Sequence, residues 1–279
     1  MLIKTRLLPP QQKPGPGSEI DWGHPLSRGL VGCWLFNEGA GLRVRDMVAG
    51  EFGAVQPGAS VASNRLSLDG IAGYVACGTK VYPWLSGAFS VDARFQLGVP
   101  TSDQAPLLSI TASDHGIFPA YTAQRRNLLY LGAGNYRYWS QSPINLLDGK
   151  THLGTWVCAG PLQADIAESV MYADGQRQDV FSTQQTTPRA SITKLWIGRY
   201  NIYYFPGVIE HLRIYARALT PDEVRWLHAE PYAMIRPAGP MRRYFTVTAL
   251  DQVFRLREQP QRFRLKELGP RFRFREKRP

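Results

Sequence analysis

The chain has 279 residues, which suffices for one large all-β domain with appendages or for two small domains. No apolar run approaches the roughly 18 residues of a membrane-spanning helix, which argues against a helical membrane protein. The first ten residues contain no apolar stretch long enough for a signal peptide, so we expect synthesis in the cytoplasm without Sec-type export. The three cysteines, Cys33, Cys77 and Cys158, lie far apart, which predicts buried thiols rather than disulfides or a zinc site.

The net charge of +11 is unevenly distributed along the chain. Residues 241–279 contain 12 Lys/Arg and 4 Asp/Glu, and residues 1–28 contain 4 and 2. The intervening segment, 29–240, is almost neutral, with 17 basic and 16 acidic residues. The basic character therefore belongs to the two ends, and a basic tail usually meets an acidic surface or a nucleic acid.

Residues 1–28 are predicted to form an extended N-terminal arm. Pro9, Pro10, Pro14 and Pro16 disfavour a helix and weaken strand pairing. The arm is expected either to be disordered or to be ordered by a partner.

From Gly29 onward, short apolar or alternating runs follow one another, separated by turn residues such as those of the Asp69-Gly70, Asp148-Gly149 and Asp174-Gly175 pairs. About ten short strands with this punctuation predict a sandwich or a barrel over residues 29–232. In the last run we expect Ile209, Leu212 and Ile214 to face a core, Glu210, Arg213 and Arg217 to face outward, and a bulge at His211 to interrupt the alternation.

One helix is predicted after this run. Thr220 supplies an N-cap hydroxyl, Pro221 the first helical residue, and Glu223 the third residue of a capping box. Pro231 is expected to end the helix.

Four segments resemble laminin-G-like and concanavalin A-like domains. Residues 25–39 resemble the opening strand, residues 66–75 a hairpin, residues 171–175 (MYADG) a strand with its Asp-Gly turn, and residues 207–224 the closing strand with its helix. This resemblance implies an all-β fold, an antiparallel jelly-roll β-sandwich with one short C-terminal helix. The leader, the phrase at 20–26 (IDWGHPL) and the tail also resemble virion proteins of tailed bacteriophages that carry such domains.

The basic C-terminal arm, residues 233–279, contains a nine-residue repeat. Each unit begins with Phe and alternates apolar with mostly basic residues, which predicts short strands with an apolar face and a charged face. Two apolar side chains per unit cannot bury a core alone, so we expect the arm to dock on a partner protein by β-augmentation. A disordered tail and a nucleic-acid-binding tail remain alternatives. The predicted docking residues are Phe245, Phe254, Leu256, Phe263, Leu265, Phe272, Phe274, Arg255, Arg264 and Arg273.

Candidate chemistry is sparse. The sequence has no Glu-x-Asp-x-Glu strand for retaining glycoside hydrolysis, no Gly-x-Ser-x-Gly elbow and no phosphate-binding loop, so no catalytic residue is assigned and no enzyme is predicted. The five histidines lack metal-ligand spacing. No cofactor is expected, although laminin-G relatives can hold calcium; Asp46, Asp69 and Asp174 are weak ligand candidates that turn formation explains equally well.

Two aromatic segments are the better candidates for contact with a partner or a glycan: Tyr136, Tyr138 and Trp139, and Tyr203, Tyr204 and Phe205. Cross-strand packing is the alternative explanation for both. The leading hypothesis is a non-enzymatic structural protein of a phage-like virion, a capsid decoration or tail component, whose arms anchor it to other virion proteins or to copies of itself. A carbohydrate-binding module for surface glycans is the second hypothesis, and nucleic-acid binding through the tail is the third.

Overall fold

A computed structural model of the chain describes residues 11–78, 87–99, 103–110, 116–121, 126–131, 136–160, 165–184 and 194–238, and the backbone of 246–249, 252–254 and 274–275. The chain divides into two compact units, Met1–Pro237 and Ala238–Pro279. Within the described residues, no helix is long and apolar enough to cross a membrane.

The strands of the first unit are short and follow one another as the turn residues predict. In chain order they are β1 (Glu19–Ile20), β2 (Leu30–Trp34), β3 (Arg43–Arg45), β4 (Phe52–Val55), β5 (Ala59–Ala62), β6 (Arg65–Asp69), β7 (Val75–Ala76), β8 (Phe89–Leu97), β9 (Gln104–Ala105), β10 (Leu108–Ile110), β11 (Gly116–Tyr121), β12 (Arg126–Tyr130), β13 (Tyr136–Trp139), β14 (Thr151–Cys158), β15 (Val170–Ala173), β16 (Gln176–Arg177), β17 (Val180–Gln184), β18 (Leu195–Ile197), β19 (Arg199–Tyr200), β20 (Tyr203–Tyr204), β21 (Pro206–Tyr215) and β22 (Ile235–Arg236). The helices are a 3-10 turn at Pro25–Ser27, α1 (Asp165–Glu168) and α2 (Pro221–Ala229).

Two antiparallel sheets form the body of this unit. The ten-stranded sheet runs in the order β17-β13-β12-β11-β10-β18-β7-β4-β3, with β9 beside β11. The eight-stranded sheet runs in the order β16-β15-β14-β8-β21-β6-β5, with β2 also paired to β21. This arrangement confirms the predicted all-β sandwich.

The apolar residues form two layers, one on each face of the eight-stranded sheet. The first layer lies between the two sheets and includes Trp34, Phe95 and Trp156 from one sheet and Leu129 and Ile197 from the other. The second layer covers the opposite face of the eight-stranded sheet and is completed by residues of α2 and of the segments around β1 and β22. The central strands of the eight-stranded sheet, β8, β14 and β21, are therefore largely buried on both faces.

Strand β21 follows the predicted alternation, but one of its outward residues is buried. Ile209, Leu212 and Ile214 enter the layer between the sheets, and the register shifts between Ile209 and His211, which confirms the predicted core residues and the bulge. The prediction that Arg213 faces solvent is wrong, because the segment at 231–235 covers that face of the sheet and leaves Arg213 only 1% exposed.

Arg213 belongs to a buried polar network. Its Nη2 lies 2.8 Å from Oδ2 of Asp92, and its Nη1 donates to the carbonyl oxygen of Pro231 at 2.6 Å. The other carboxylate oxygen of Asp92 accepts from the hydroxyl of Thr155 at 2.9 Å, and the ring of His211 lies 3.3 Å from Oδ2. Burial together with the neighbouring guanidinium lowers the pKa of His211 to about 3, so its ring is neutral at pH 7.

Helix α2 begins as the capping box predicts. The backbone N–H of Glu223 donates to the hydroxyl of Thr220 at 3.3 Å, and the N–H of Thr220 donates to the carboxylate of Glu223 at 2.9 Å. Val224 and Leu227 pack into the second apolar layer. The helix ends at Ala229, just before Pro231.

The described part of the predicted N-terminal arm packs against the folded unit. Strand β1 pairs antiparallel with β22, the side chain of Leu26 is fully buried, and the ammonium group of Lys13 donates to the backbone oxygens of Asn64 and Glu210. Burial lowers the pKa of Lys13 to about 8. Residues 11–28 thus contribute to the sandwich unit, whose boundary at 237/238 lies beyond the predicted 232/233.

The three cysteines are free thiols. Cys33 and Cys158 are buried as predicted, whereas Cys77 is half-buried. Burial raises the pKa of the Cys33 thiol to about 12, which keeps it protonated.

The second unit contains a small sheet within the repeat region. Strands β23 (Thr246–Ala249), β24 (Gln252–Phe254) and β25 (Phe274–Arg275) pair in the order β24-β23-β25, all antiparallel. In this sheet Val247 pairs with Phe254 on one side and with Phe274 on the other.

Candidate functional site

The first predicted aromatic segment is strand β13, whose residues alternate between two faces. Tyr136 and Tyr138 are half-exposed on the outer face of the ten-stranded sheet. Arg137 and Trp139 are buried on the inner face, where Trp139 is part of the layer between the sheets. The prediction that Trp139 contacts a ligand is therefore wrong, because its register places it in the core.

The second predicted aromatic segment divides in a similar way. Tyr203 and Tyr204 are half-exposed on β20, which pairs with β19. Phe205 is fully buried in the layer between the sheets, where it makes an edge contact with Phe95 at 6.0 Å between ring centroids. Phe205 is therefore also excluded as a surface contact.

The half-exposed tyrosines belong to a larger aromatic surface on the outer face of the ten-stranded sheet. We call this surface the aromatic face. Its rings are all half-exposed and come from seven strands or their flanks; they are Tyr74, Tyr121, Tyr130, Tyr136, Tyr138, Trp196, Tyr200 and Tyr204. Sequence reasoning missed Tyr74, Tyr121, Tyr130 and Trp196, because they are far apart in the chain and only the sheet order brings them together.

Register explains why these side chains share one face. Tyr130 pairs with Tyr136 on one side and with Gly116 on the other, and Gly116 pairs in turn with Ser109, which pairs with Trp196. Residues that are directly opposite in paired strands point to the same face of the sheet. This row therefore runs across five strands of the sheet.

The rings contact one another in two groups. In the first group, Tyr138 lies 4.8 Å from Tyr136 and 5.8 Å from Tyr121 between ring centroids, and Tyr200 lies 5.0 Å from the buried ring of Phe118. Gly116 makes room for this contact, since a Cβ atom there would lie 2.5 Å from the Phe118 ring and 3.4 Å from the Tyr200 ring.

The second group surrounds an arginine. The ring of Tyr74 lies 5.8 Å from that of Trp196 and 6.3 Å from that of Tyr204. The Arg199 guanidinium carbon is 4.4 Å from the Trp196 ring centroid and 4.7 Å from that of Tyr74. These are cation–π distances.

The phenol groups of Tyr121 and Tyr138 are held in the neutral form. Partial burial, together with the neighbouring phenols, raises the pKa of Tyr138 to about 12 and also raises the pKa of Tyr121. At neutral pH each hydroxyl can therefore both donate and accept a hydrogen bond. Flat rings with polar edges suit the contact of a sugar, which has an apolar face and a rim of hydroxyls.

The calcium candidates are engaged in local hydrogen bonds. Oδ1 of Asp46 accepts from the backbone N–H groups of Cys33 and Val48, both at 3.0 Å. Oδ1 of Asp69 accepts from three successive backbone N–H groups of its own turn, those of residues 71–73. In the part of the chain that the structure describes, no group of three or more His, Cys, Asp or Glu side chains is arranged to hold a metal ion.

Asp174, the third candidate, pairs with a histidine. Oδ2 of Asp174 lies 2.7 Å from Nδ1 of His152, and Oδ1 of Asp148 lies 2.8 Å from Nε2 of the same ring. The two carboxylates raise the pKa of His152, and the hydrogen bonds from the ring lower the pKa of both carboxyl groups. The histidine thus bridges β14 to the Asp-Gly turn after β15.

Most of the predicted docking residues of the tail lie outside the described residues. The exceptions are Phe254 and Phe274, whose backbones lie in β24 and β25. The other eight are Phe245, Leu256, Phe263, Leu265, Phe272, Arg255, Arg264 and Arg273.

Comparison with known proteins assigns the family. A model of the laminin-G type described as the concanavalin A-like lectin/glucanases superfamily matches residues 69–225, more than half of the chain. The chain belongs to this superfamily. The match confirms the resemblance inferred from the sequence segments, and a search of curated proteins found no match.

Solved structures share the fold of this superfamily member. A sialidase from Trypanosoma rangeli is 18% identical, with a TM-score of 0.55 over 74% of this chain and 33% of the sialidase. The same enzyme in complex with sialic acid has a TM-score of 0.53 at 15% identity and the same coverage. The chain thus spans about a third of the length of these relatives, and at such identities the likeness concerns the fold alone.

Proposed function

We propose that the chain is a non-enzymatic carbohydrate-binding module and that the aromatic face is its binding surface. The observation that carries this proposal is the row of half-exposed rings across the ten-stranded sheet, which contributes to neither apolar layer. Exposed aromatic surface is costly to leave in water and commonly marks a binding site. The superfamily description, which names lectins, supports the same proposal.

The geometry suits a sugar chain better than a compact ligand. The rings extend from β13, near one edge of the sheet, to Tyr74 beside β7, so that several sugar units can lie along them. The phenol hydroxyls provide hydrogen bonds at the ring edges. Among the solved structures that share this fold, the Trypanosoma sialidase, of which this chain covers a third, has been solved in complex with sialic acid.

A glycan array probed with the full chain, followed by calorimetry on the best ligands, tests the proposal. Tyr138→Ala and Trp196→Ala should each weaken binding by about tenfold or more, because each removes one ring from one of the two groups of the aromatic face. Trp22→Ala is the matched control, since Trp22 is 59% exposed but lies outside the aromatic face. Absence of binding to every glycan would refute the proposal, as would equal losses in the control variant.

The non-enzymatic part of the proposal has its own test. The glycans that bind are incubated with the chain and analysed by mass spectrometry. Release of shorter products at a rate above that of the buffer control would contradict it.

The hypothesis of a structural role in a phage-like virion rests on the resemblance of the leader, residues 20–26 and the tail to virion proteins, and on the neutral core, the charged arms and the nine-residue repeat. It stays a prediction. Truncation after Pro240 tests it, because a shortened chain that still assembles on particles at full occupancy would contradict anchoring through the tail. Nucleic-acid binding by the tail likewise stays a prediction; it requires affinity that falls steeply with salt.

A further inference from the structure

Arg199 is held in place on the aromatic face. Its guanidinium carbon lies 4.4, 4.7 and 5.5 Å from the ring centroids of Trp196, Tyr74 and Tyr204. Its Nε donates to the carbonyl oxygen of Asn201 at 2.9 Å, which fixes the rotation of the group. Three rings and one hydrogen bond thus orient the guanidinium while the residue stays half-exposed.

The charge of Arg199 is not neutralised by a neighbour in the described part of the chain. No carboxylate oxygen of a described residue lies within ion-pair distance of Arg199, whereas Arg94 lies 2.9 Å from Glu210 and Arg217 lies 2.7 Å from Glu223. A second guanidinium, that of Arg126, lies 3.2 Å from the Phe181 ring centroid at the β12 end of the aromatic face and has no described acidic partner either.

An arginine in this state is prepared to bind an anion. The planar group offers N–H donors in a fixed fork that matches the two oxygens of a carboxylate, and the surrounding rings have already removed much of its freedom. Because Arg199 is half-exposed, a ligand can reach part of its side chain.

We propose that the aromatic face selects acidic carbohydrates, with Arg199 binding the carboxylate of a sugar that stacks on the neighbouring rings. This inference rests on the proposed carbohydrate-binding function and specifies its ligand class. Arg126, at the other end of the aromatic face, provides a second position for an acidic group, so a ligand with repeated carboxylates fits best.

The test uses the full chain and pairs of glycans in which one member carries an acidic group that the other lacks. The pairs are 3′-sialyllactose with lactose, and an oligogalacturonate with its methyl ester; a sulfated and a desulfated chondroitin oligosaccharide form a third pair. Calorimetry is run at 0.15 and 0.5 M NaCl, since the basic tail attracts any polyanion at low salt. The wild-type chain should bind a carboxylated member at least about tenfold more tightly than its neutral counterpart at both salt concentrations.

Two substitutions at Arg199 and one elsewhere identify the residue responsible. Arg199→Gln should abolish the preference for the carboxylated member and leave the affinity for the neutral member within about twofold. Arg199→Lys, which keeps the charge but loses the fork, should retain only a small part of the preference. Arg43→Gln removes one exposed charge from β3, at the far edge of the same sheet, and should behave as the wild type.

The outcomes separate this inference from the proposed function. A preference that survives in Arg199→Gln, that disappears equally in Arg43→Gln, or that is limited to the sulfated pair overturns the role of Arg199. Neutral glycans that bind through Tyr138 and Trp196 without any preference for acid overturn the inference but leave the proposed function intact. If no glycan binds, both fail. If Arg199→Gln lowers the melting temperature too far for binding to be measured, the preference for the carboxylated member is compared between Arg199→Lys and the wild type instead.

Discussion

The buried pair of Asp92 and Arg213 gives a stability prediction whose size follows from the structure. Replacing Arg213 by Met removes the positive charge and leaves the carboxylate of Asp92, which is fully buried, with only Thr155 and a neutral His211 as neighbours. Breaking a buried ion pair from one side costs about 3–5 kcal/mol. At about 2–4 °C per kcal/mol for a domain of this size, the melting temperature should fall by roughly 6–20 °C.

Urea denaturation followed by tryptophan fluorescence, together with calorimetric melting, measures this effect. Arg225→Met is the control, because Arg225 forms an exposed ion pair with Asp222 on α2 and should change the unfolding free energy by less than about 1 kcal/mol. The double variant Asp92→Leu/Arg213→Met should be less destabilised than the sum of the single variants, since it leaves no buried charge unpaired. A loss below about 1 kcal/mol in Arg213→Met would show that the reasoning about this network is mistaken.

Three further predictions concern the stability of the β-sandwich. The raised pKa of His152 means that its hydrogen bonds to Asp148 and Asp174 stabilise the fold when the ring is charged. The difference in melting temperature between the wild type and His152→Gln should therefore be largest near pH 5–6. This difference should decline as pH rises through the raised pKa of His152, and also in acid as the two carboxylates protonate. Gly207→Ala should lower the free energy of unfolding, measured in urea, by more than about 2 kcal/mol, because φ at Gly207 is +138° and a Cβ would lie 2.2 Å from a backbone oxygen. Gly149→Ala should lower it by less, because a Cβ at Gly149 would meet no atom within 4 Å. Thr220→Ala should cost about 1 kcal/mol in the same assay through loss of the cap.

Short sequence patterns predicted helix α2 and the core residues of strand β21, because both depend on residues close together in the chain. The capping box at Thr220 located α2, and the period-two alternation placed Ile209, Leu212 and Ile214 in a core. Alternation alone, however, states that a strand has two faces and not how each face is covered. Arg213 was assigned to solvent for this reason, whereas a segment 18 residues later in the chain closes over it.

The same limit explains the outcome for the aromatic segments. In β13 the sequence shows Tyr136 and Tyr138 on one face and Trp139 on the other, but only pairing with β12 decides which face is inward. The group of Tyr74, Trp196 and Arg199 depends on the neighbouring positions of β7 and β18, which are distant in sequence. The dense run of aromatic residues at 196–205 was the one local signal that could have located it.

The burial of the central strands of the eight-stranded sheet on both faces has a consequence for engineering and for evolution. Since both apolar layers pack against the eight-stranded sheet, the residues on the outer face of the ten-stranded sheet can be exchanged with little effect on the stability of the fold. A library randomised at positions 74, 136, 138, 196 and 204 should therefore contain mostly folded members that differ in what they bind. Such a division between scaffold and surface lets one sequence lineage change its ligand in small steps.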